Sequence, residues 1–185
     1  MEQFPVYMTL SGREIFLCGA ASAEKIPLLL PCGGAITLFT EEDVSPEGVN
    51  VVHRAVTAEE LDRLPALVVT AQSEEEDGRI AAMCRSRNIP VNAVDRPALC
   101  TFYFPSLIRR DDLSIAVSTG GAAPAVAAAL RHQIEAQLPR ELDEILAWAK
   151  VLREEVYCRQ RDKNEARRVI REAVELALKE GKVPR

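Results

Sequence analysis

Three stretches of this chain gather residue types that bind anions or move protons. The first is C-G-A-A-S-A-E-K, Cys18 to Lys25, directly after a short apolar run. In a dinucleotide-binding turn, glycines let a pyrophosphate approach backbone N–H groups at the start of a helix, because a Cβ there obstructs it. Here Gly19 is the one glycine, Ala20 and Ala21 fill the inner positions, Ser22 follows, and Pro27 and Pro31 interrupt the segment beyond. An ordinary strand-to-helix turn fits the same letters. Glu41 and Glu42 stand about 20 residues further on, after a second apolar run, where an acid can accept hydrogen bonds from ribose hydroxyls. A solvated acidic loop is the competing reading.

The second stretch, P-V-N-A-V-D-R-P-A-L-C from Pro90 to Cys100, is an apolar strand that delivers Asn92 and Asp95 to its carboxyl end. Open α/β sheets bind ligands in that crevice, so a carboxylate there can serve as general base or acid. A turn through Asp95-Arg96-Pro97 explains the same residues without chemistry. The third stretch runs from Phe104 to Pro124. It joins Arg109 and Arg110, which could clamp carboxylate or phosphate, to Ser118, Thr119, Gly120 and Gly121 at the start of a helix. Exposed N–H donors, a positive dipole end and glycines for close approach suit an anion. A hairpin-like turn at Arg110-Asp111-Asp112 followed by a capped helix fits equally well.

Other chemistry is poorly represented. His53 and His132 stand alone, no Cys/His spacing supports a structural zinc, and neither a GxSxG turn nor a Walker loop is present. No metal site is expected. Five cysteines without a CxxC pair read as reduced thiols, mostly packing groups.

The elements that must position these residues follow from the hydrophobic pattern. Apolar runs at Glu14–Cys18, Ala35–Phe39, Val49–Val52, Ala66–Thr70, Pro90–Val94 and Leu113–Ser118 read as strands. A segment of helical length separates the first two, and Glu75–Arg87 is helix-like, with an acidic first turn that suits the helix dipole. This alternation predicts an α/β domain with a mainly parallel sheet covered on both faces. Pro124 opens an alanine-rich helix to Gln137, and apolar residues at three- and four-residue spacing then predict two amphipathic helices.

Composition narrows the classes. The chain has 185 residues, 23 basic and 28 acidic, for a net charge of −5; 48% are hydrophobic and 5% aromatic. Residues 1–139 carry 11 basic and 18 acidic groups, residues 140–185 carry 12 and 10. That excludes a disordered chain and a basic nucleic-acid binder, and few aromatics weaken any base-stacking role. The start has no signal-like pattern and no run reaches membrane length, so a cytoplasmic protein without membrane or nucleic-acid partners is expected.

Taken in order, P-V-Y-M-T-L-S-G-R-E-I-F-L-C-G, A-E-K-I-P-L-L-L-P-C-G-G-A-I-T-L, N-A-V-D-R-P and F-P-S-L-I-R-R-D-D-L-S-I-A-V-S-T-G-G-A-A-P-A-V-A-A-A-L-R resemble the precorrin-2 dehydrogenase / sirohydrochlorin ferrochelatase family, which forms the N-terminal module of siroheme synthase. The resemblance implies a Rossmann-like domain over 1–112, a dimerisation and substrate-side segment over 113–138, and a C-terminal helical domain over 139–185. It implies NAD-dependent oxidation of the tetrapyrrole precorrin-2 to sirohydrochlorin, with Fe²⁺ insertion in some members. Asp95 falls on the catalytic aspartate, Ser118 to Gly121 on the substrate-side turn, and Ala21, Ser22, Glu41 and Glu42 on cofactor contacts. Thr70 and Ala71 fall on a further cofactor loop. Asn92, Arg109 and Arg110 belong to the expected substrate side. The loop G-A-A-S-A stands where members carry GxGxxA, and Thr70-Ala71-Gln72-Ser73 departs from A-T-D/N-D. Weak NAD binding, preferred over NADP, and a homodimer interface within Phe102 to Gln137 are expected. Metal insertion would need Asp95, His132 or Cys100 to share one cleft. The alternatives are a ferrochelatase or tetrapyrrole-binding relative that has lost NAD use, and a nucleotide-sensing module without catalysis.

Overall fold

The computed structural model describes residues 3–184, and the chain divides into two compact units, Met1–Phe104 and Pro105–Arg185. In the first unit, strands β1 (Glu14–Cys18), β2 (Ala35–Phe39), β3 (Asn50–Val52), β4 (Leu67–Thr70) and β5 (Val91–Ala93) form one fully parallel sheet in the order β3-β2-β1-β4-β5. Alternate side chains of each strand face opposite ways. Phe16 and Cys18 join Phe39, Val68 and Val91 on one face, while Ile15 and Leu17 join Ile36, Leu38 and Val69 on the other. Both faces are covered, which is why these strands read as unbroken apolar runs.

Helix α1 is a single turn, Ile26–Leu29, and its neighbours Ala20–Lys25 and Leu30–Cys32 are 3₁₀ turns. The segment of helical length between β1 and β2 is thus broken into short turns, as its two prolines predict. Proline supplies no N–H, so Pro31 cannot bond back to the carbonyl of residue 27, nor Pro27 to that of residue 23. Helix α2 (Ala58–Leu61) begins at a capping box: the Thr57 side chain accepts from the Glu60 N–H, and the Glu60 carboxylate accepts from the Thr57 N–H. Helix α3 (Glu74–Ser86) is capped by the Ser73 hydroxyl and lays Ile80, Ala81 and Cys84 on the sheet.

In the second unit, β6 (Ser106–Arg110) and β7 (Leu113–Val117) form an antiparallel hairpin. Arg109 and Arg110, weighed above as clamps or as the approach to a turn, lie on its first strand, and Asp111 takes the left-handed conformation at the bend (φ 46°). Helix α4 (Pro124–Gln137) packs on this hairpin, and α5 (Leu142–Arg159) and α6 (Lys163–Glu180) pack on each other. The break between units falls ahead of β6, so both hairpin strands belong to the second unit.

Candidate active site

The strand register places four carboxyl ends level with one another: Phe39 pairs with Cys18, Cys18 with Thr70, and Thr70 with Ala93. The chain leaves β1 for β2 and β3 on one side and returns to β4 and β5 on the other, so the switch point of the topology lies between β1 and β4. Ligands of open parallel sheets bind in the crevice beyond the strand ends at that point. Gly19, Glu41, Ala71 and Asp95 all follow those ends.

At β1, Gly19 adopts φ 87°, and a Cβ built there would come within 2.5 Å of the Gln72 Cγ and 2.6 Å of the Ala71 carbonyl oxygen. Glycine is thus demanded twice, by backbone conformation and by close approach of the loop after β4. The next residues close on themselves. The backbone N–H and the hydroxyl of Ser22 both donate to the Gly19 carbonyl, at 3.0 and 2.6 Å, and Ser22 is buried. Ser22, singled out as a cofactor contact, has its hydroxyl engaged within the turn; Ala20 is half-buried and Ala21 exposed. Past β2, Glu41 and Glu42 are exposed, and the Thr40 hydroxyl accepts from the Glu42 N–H at 3.1 Å.

Between β4 and β5 lies a cluster that the sequence reading passed over. Asp77, in the first turn of α3, has no solvent exposure. One carboxylate oxygen accepts from the Thr70 hydroxyl at 2.5 Å and from the Gln72 N–H at 3.1 Å; the other is paired with the Arg96 guanidinium. Burying a carboxylate is costly unless it is paired and hydrogen-bonded, and here it is both. Glu74 to Asp77 reads as the acidic first turn of a helix, which it is, but Asp77 also shares the three-, four- and seven-residue spacing of Ile80, Ala81 and Cys84, and that spacing was the signal for its burial. Thr70, an expected cofactor contact, is likewise buried with its hydroxyl on Asp77.

Asp95 is exposed just past β5 and adopts φ 59°, a region that Asp tolerates better than most residues. The Val94 N–H donates to the Thr70 carbonyl at 2.9 Å, which fastens the Asp95 turn to the end of β4. Asn92 is buried and donates to the Phe102 carbonyl at 3.0 Å, so it supports the loop below the crevice. The half-buried Cys100 thiol lies 3.2 Å from the Ala93 carbonyl and its pKa is raised, chiefly by burial. Burial pushes the Cys84 thiol up to about 12 and raises Cys18 as well, so both are inert packing groups.

In the second unit, Arg110 donates to the Pro139 and Arg140 carbonyls, both at 2.8 Å, and lies 3.6 Å from Asp143. It ties the hairpin to the connection between α4 and α5. Arg109 is exposed. The Ser118 hydroxyl accepts from the Gly120 N–H at 3.2 Å and that of Thr119 from the Ala123 N–H at 3.1 Å. Gly120 and Gly121 both have positive φ, and open space surrounds the Cβ position of Gly121. Exposed His132 contacts its neighbour Arg131. Among the described residues, no three His, Cys, Asp or Glu side chains gather as a metal site, and no helix is long and apolar enough to cross a membrane.

A parallel sheet in this order, with a glycine turn at its switch point and acids beyond the neighbouring strand, defines a Rossmann-like nucleotide-binding domain. Comparison with known proteins agrees. Residues 6–106 match the family described as "Putative NAD(P)-binding", and residues 110–137 match "Sirohaem biosynthesis protein central". The chain is 34% identical over 167 residues to a siroheme synthase of Methylobacillus flagellatus, covering 84% of this chain and 35% of the relative. It is 32% identical over 183 residues to a siroheme synthase of Neisseria meningitidis serogroup C, covering 91% and 37%. The chain thus spans about a third of the length of these curated relatives. A solved structure named SirC, precorrin-2 dehydrogenase, shares the fold with TM-score 0.70 at 20% identity, covering 92% of this chain and 88% of that one. The chain belongs to the family described as putative NAD(P)-binding, and the segment that follows matches the central part of sirohaem biosynthesis proteins.

Proposed function

We propose that this chain oxidises precorrin-2 to sirohydrochlorin, with NAD in the crevice beyond β1 and β4 and Asp95 as the proton acceptor. The observation that carries the reading is the position of Asp95: an exposed carboxylate at the carboxyl end of β5, fastened to the end of β4. The residues fit a nicotinamide dinucleotide, because the sheet order supplies the switch point and Gly19 shapes the turn at the end of β1, where its positive φ lets the loop after β4 pack closely. The backbone N–H groups of Ala20 and Ala21 would hold the cofactor, since those of Gly19 and Ala71 already donate to the Phe39 and Cys18 carbonyls, and Glu41 and Glu42 would accept hydrogen bonds from its ribose. Bound there, the cofactor supplies a hydride acceptor. The macrocycle loses two hydrogens, one as hydride and one as a proton, and Asp95 takes the proton. Within the second unit, Arg109 and the Ser118 to Gly121 turn offer donors of the kind that the carboxylates of a tetrapyrrole call for.

NAD rather than NADP is favoured by charge. Glu41 and Glu42 would repel a 2′-phosphate, and Arg54, over the Phe39 ring, is already held by Glu60 at 2.7 and 2.9 Å. Binding is weak for such a fold, because Ala20 and Ala21 carry Cβ atoms where glycines would admit the pyrophosphate and a 3₁₀ turn replaces the expected helix start. The functional unit is a homodimer, in which a second copy covers the apolar face of α4, where Val126 and Leu130 are exposed one turn apart.

Asp95→Asn is the test. Turnover should fall by roughly 10²- to 10⁴-fold, the usual share of a general base, while NAD affinity measured by calorimetry stays unchanged. Near-wild-type turnover would remove Asp95 from the reaction. In the same calorimeter, a preference for NADP would remove Glu41 and Glu42 from the ribose site.

A further inference from the structure

We propose that Asp77 and Arg96 form the positioning device for Asp95, so that this pair governs turnover rather than ligand affinity. The inference rests on the reading of Asp95 as the proton acceptor. Arg96 directly follows Asp95, and its backbone is held at both ends: its N–H donates to the Ala93 carbonyl at 3.2 Å, and its own carbonyl accepts from the Leu99 N–H at 3.0 Å and lies 3.4 Å from the Cys100 thiol. Its side chain then reaches 19 positions back along the sequence to the buried Asp77 carboxylate.

That carboxylate also receives the Thr70 hydroxyl and the Gln72 N–H. A single buried side chain therefore joins the end of β4, the loop that packs over Gly19, and the turn that carries Asp95. Asp77 occupies a core position where an apolar residue would complete the stripe of Ile80, Ala81 and Cys84. Apolar replacements of buried ion pairs are often neutral or stabilising, so burial alone gives no reason for a carboxylate here. The three donors it gathers do. Asp95 sits in the left-handed region, and its conformation is set by its neighbours: the Val94 N–H on the Thr70 carbonyl before it, and Arg96 anchored on Asp77 after it.

Two variants test the pair on the full chain. Arg96→Gln removes the charge from a side chain that is about a third exposed and keeps an amide donor for the Asp77 carboxylate. Asp77→Asn removes the charge from the buried partner. Arg96→Gln is expected to lower kcat at least tenfold, with KM for precorrin-2 and Kd for NAD within twofold of wild type, and Arg96→Lys should restore most of the loss. Without cofactor or substrate, amide hydrogen exchange at Val94 and Arg96 should speed up at least tenfold in both charge-removing variants, with β1 and β4 unchanged. Wild-type kcat in Arg96→Gln, or equal losses in kcat and NAD affinity, would overturn the proposal. Should Asp77→Asn fail to fold, Arg96→Gln alone decides. Measured alongside, Asp95→Asn separates the two ideas. If it is inactive while Arg96→Gln turns over normally, only the positioning role falls. If Asp95→Asn stays active, the proton-acceptor reading falls and the positioning role falls with it.

Discussion

In the Met1–Phe104 unit, the sheet residues Phe16, Leu17, Leu38 and Val68 have no exposed surface and the exposed large apolar residues, Phe4 and Tyr7 among them, lie outside the sheet, whereas in the Pro105–Arg185 unit Val126, Leu130, Val151, Leu176 and Leu178, all on helices, are 42% to 55% exposed. The first unit sandwiches a parallel sheet between two layers and completes its own core. The second offers a two-stranded hairpin and three helices, and its buried apolar residues are Ile108, Ala127, Leu142, Ile145, Ala166 and Ala177, half of them alanines. One unit is built to hold a nucleotide crevice rigid. The other leaves apolar helix faces exposed, and the proposed homodimer would cover the one on α4.

The contrast is broken or sharpened first by core truncation. Phe16 is buried in the sheet and meets Phe39 edge-on with ring centroids 5.1 Å apart. Phe16→Ala should cost about 3–5 kcal/mol, because a sheet covered on both sides cannot collapse into the cavity. Ile145→Ala, among helices with exposed flanks, should fall near the low end of such changes, about 2 kcal/mol. Urea unfolding of the full chain measures both, and equal losses would erase the distinction between the units.

The next effect concerns assembly. Val126 and Leu130 lie on one face of α4 at i and i+4, and full burial of each is worth roughly 1.5–3 kcal/mol. Leu130→Glu would set like charges against each other across a two-fold interface, so dimerisation should weaken by at least tenfold while NAD binding by the first unit is unaffected. Sedimentation at micromolar concentration is the measurement. A wild-type chain that runs as a monomer would reject the dimer.

How far the sequence revealed each unit follows from the same difference. Strands β1 and β2 read off at their observed ends because burial writes a continuous apolar run with turn residues on either side, and α3 within one residue because its acidic first turn marks the start of a helix. Strand β6 was harder. Ser106–Arg110 is half-exposed, ends in two arginines and owes its form to pairing with β7, which a local pattern does not disclose. The placement of Gly19 and Asp95 just past strand ends was legible, because the apolar runs before them mark those ends. Asp77 was not, since three exposed or half-exposed glutamates beside it mask the one acidic residue on the core face. Nor could spacing reveal that Ser22, Asn92 and Arg110 bond inward. A polar side chain near a ligand crevice and one that braces the loop beneath it are the same letter, and only the fold decides which groups lie in reach.

The smallest expected effect compares two carboxylates that look alike on paper. Glu60 in the first unit and Glu165 in the second each pair with an arginine, and each is held below the ordinary carboxylate range, first by the hydrogen bond from Arg54 and from Arg168 respectively. Glu60 also closes the capping box at Thr57, so its geometry is fixed by two further bonds, whereas Glu165 pairs with Arg168 along an open helix face. A carboxylate whose folded pKa is depressed stabilises the fold above its unfolded pKa, and that stability disappears as pH falls through the folded value. Glu60→Gln retains a side chain able to serve the box but removes the charge. At neutral pH, after allowance for solvent screening, it should cost about 0.5–1 kcal/mol, and the deficit should vanish once the medium is acid enough to protonate Glu60 in the folded chain. Glu60→Ala removes the box as well, so part of its deficit should persist in acid. Glu165→Gln should cost less than Glu60→Gln at neutral pH, because a fully solvated pair on a helix face gains little from its charge. Thermal melting across the acid range checks all three. Equal behaviour of the two glutamine variants would show that the capping box does not distinguish the carboxylates.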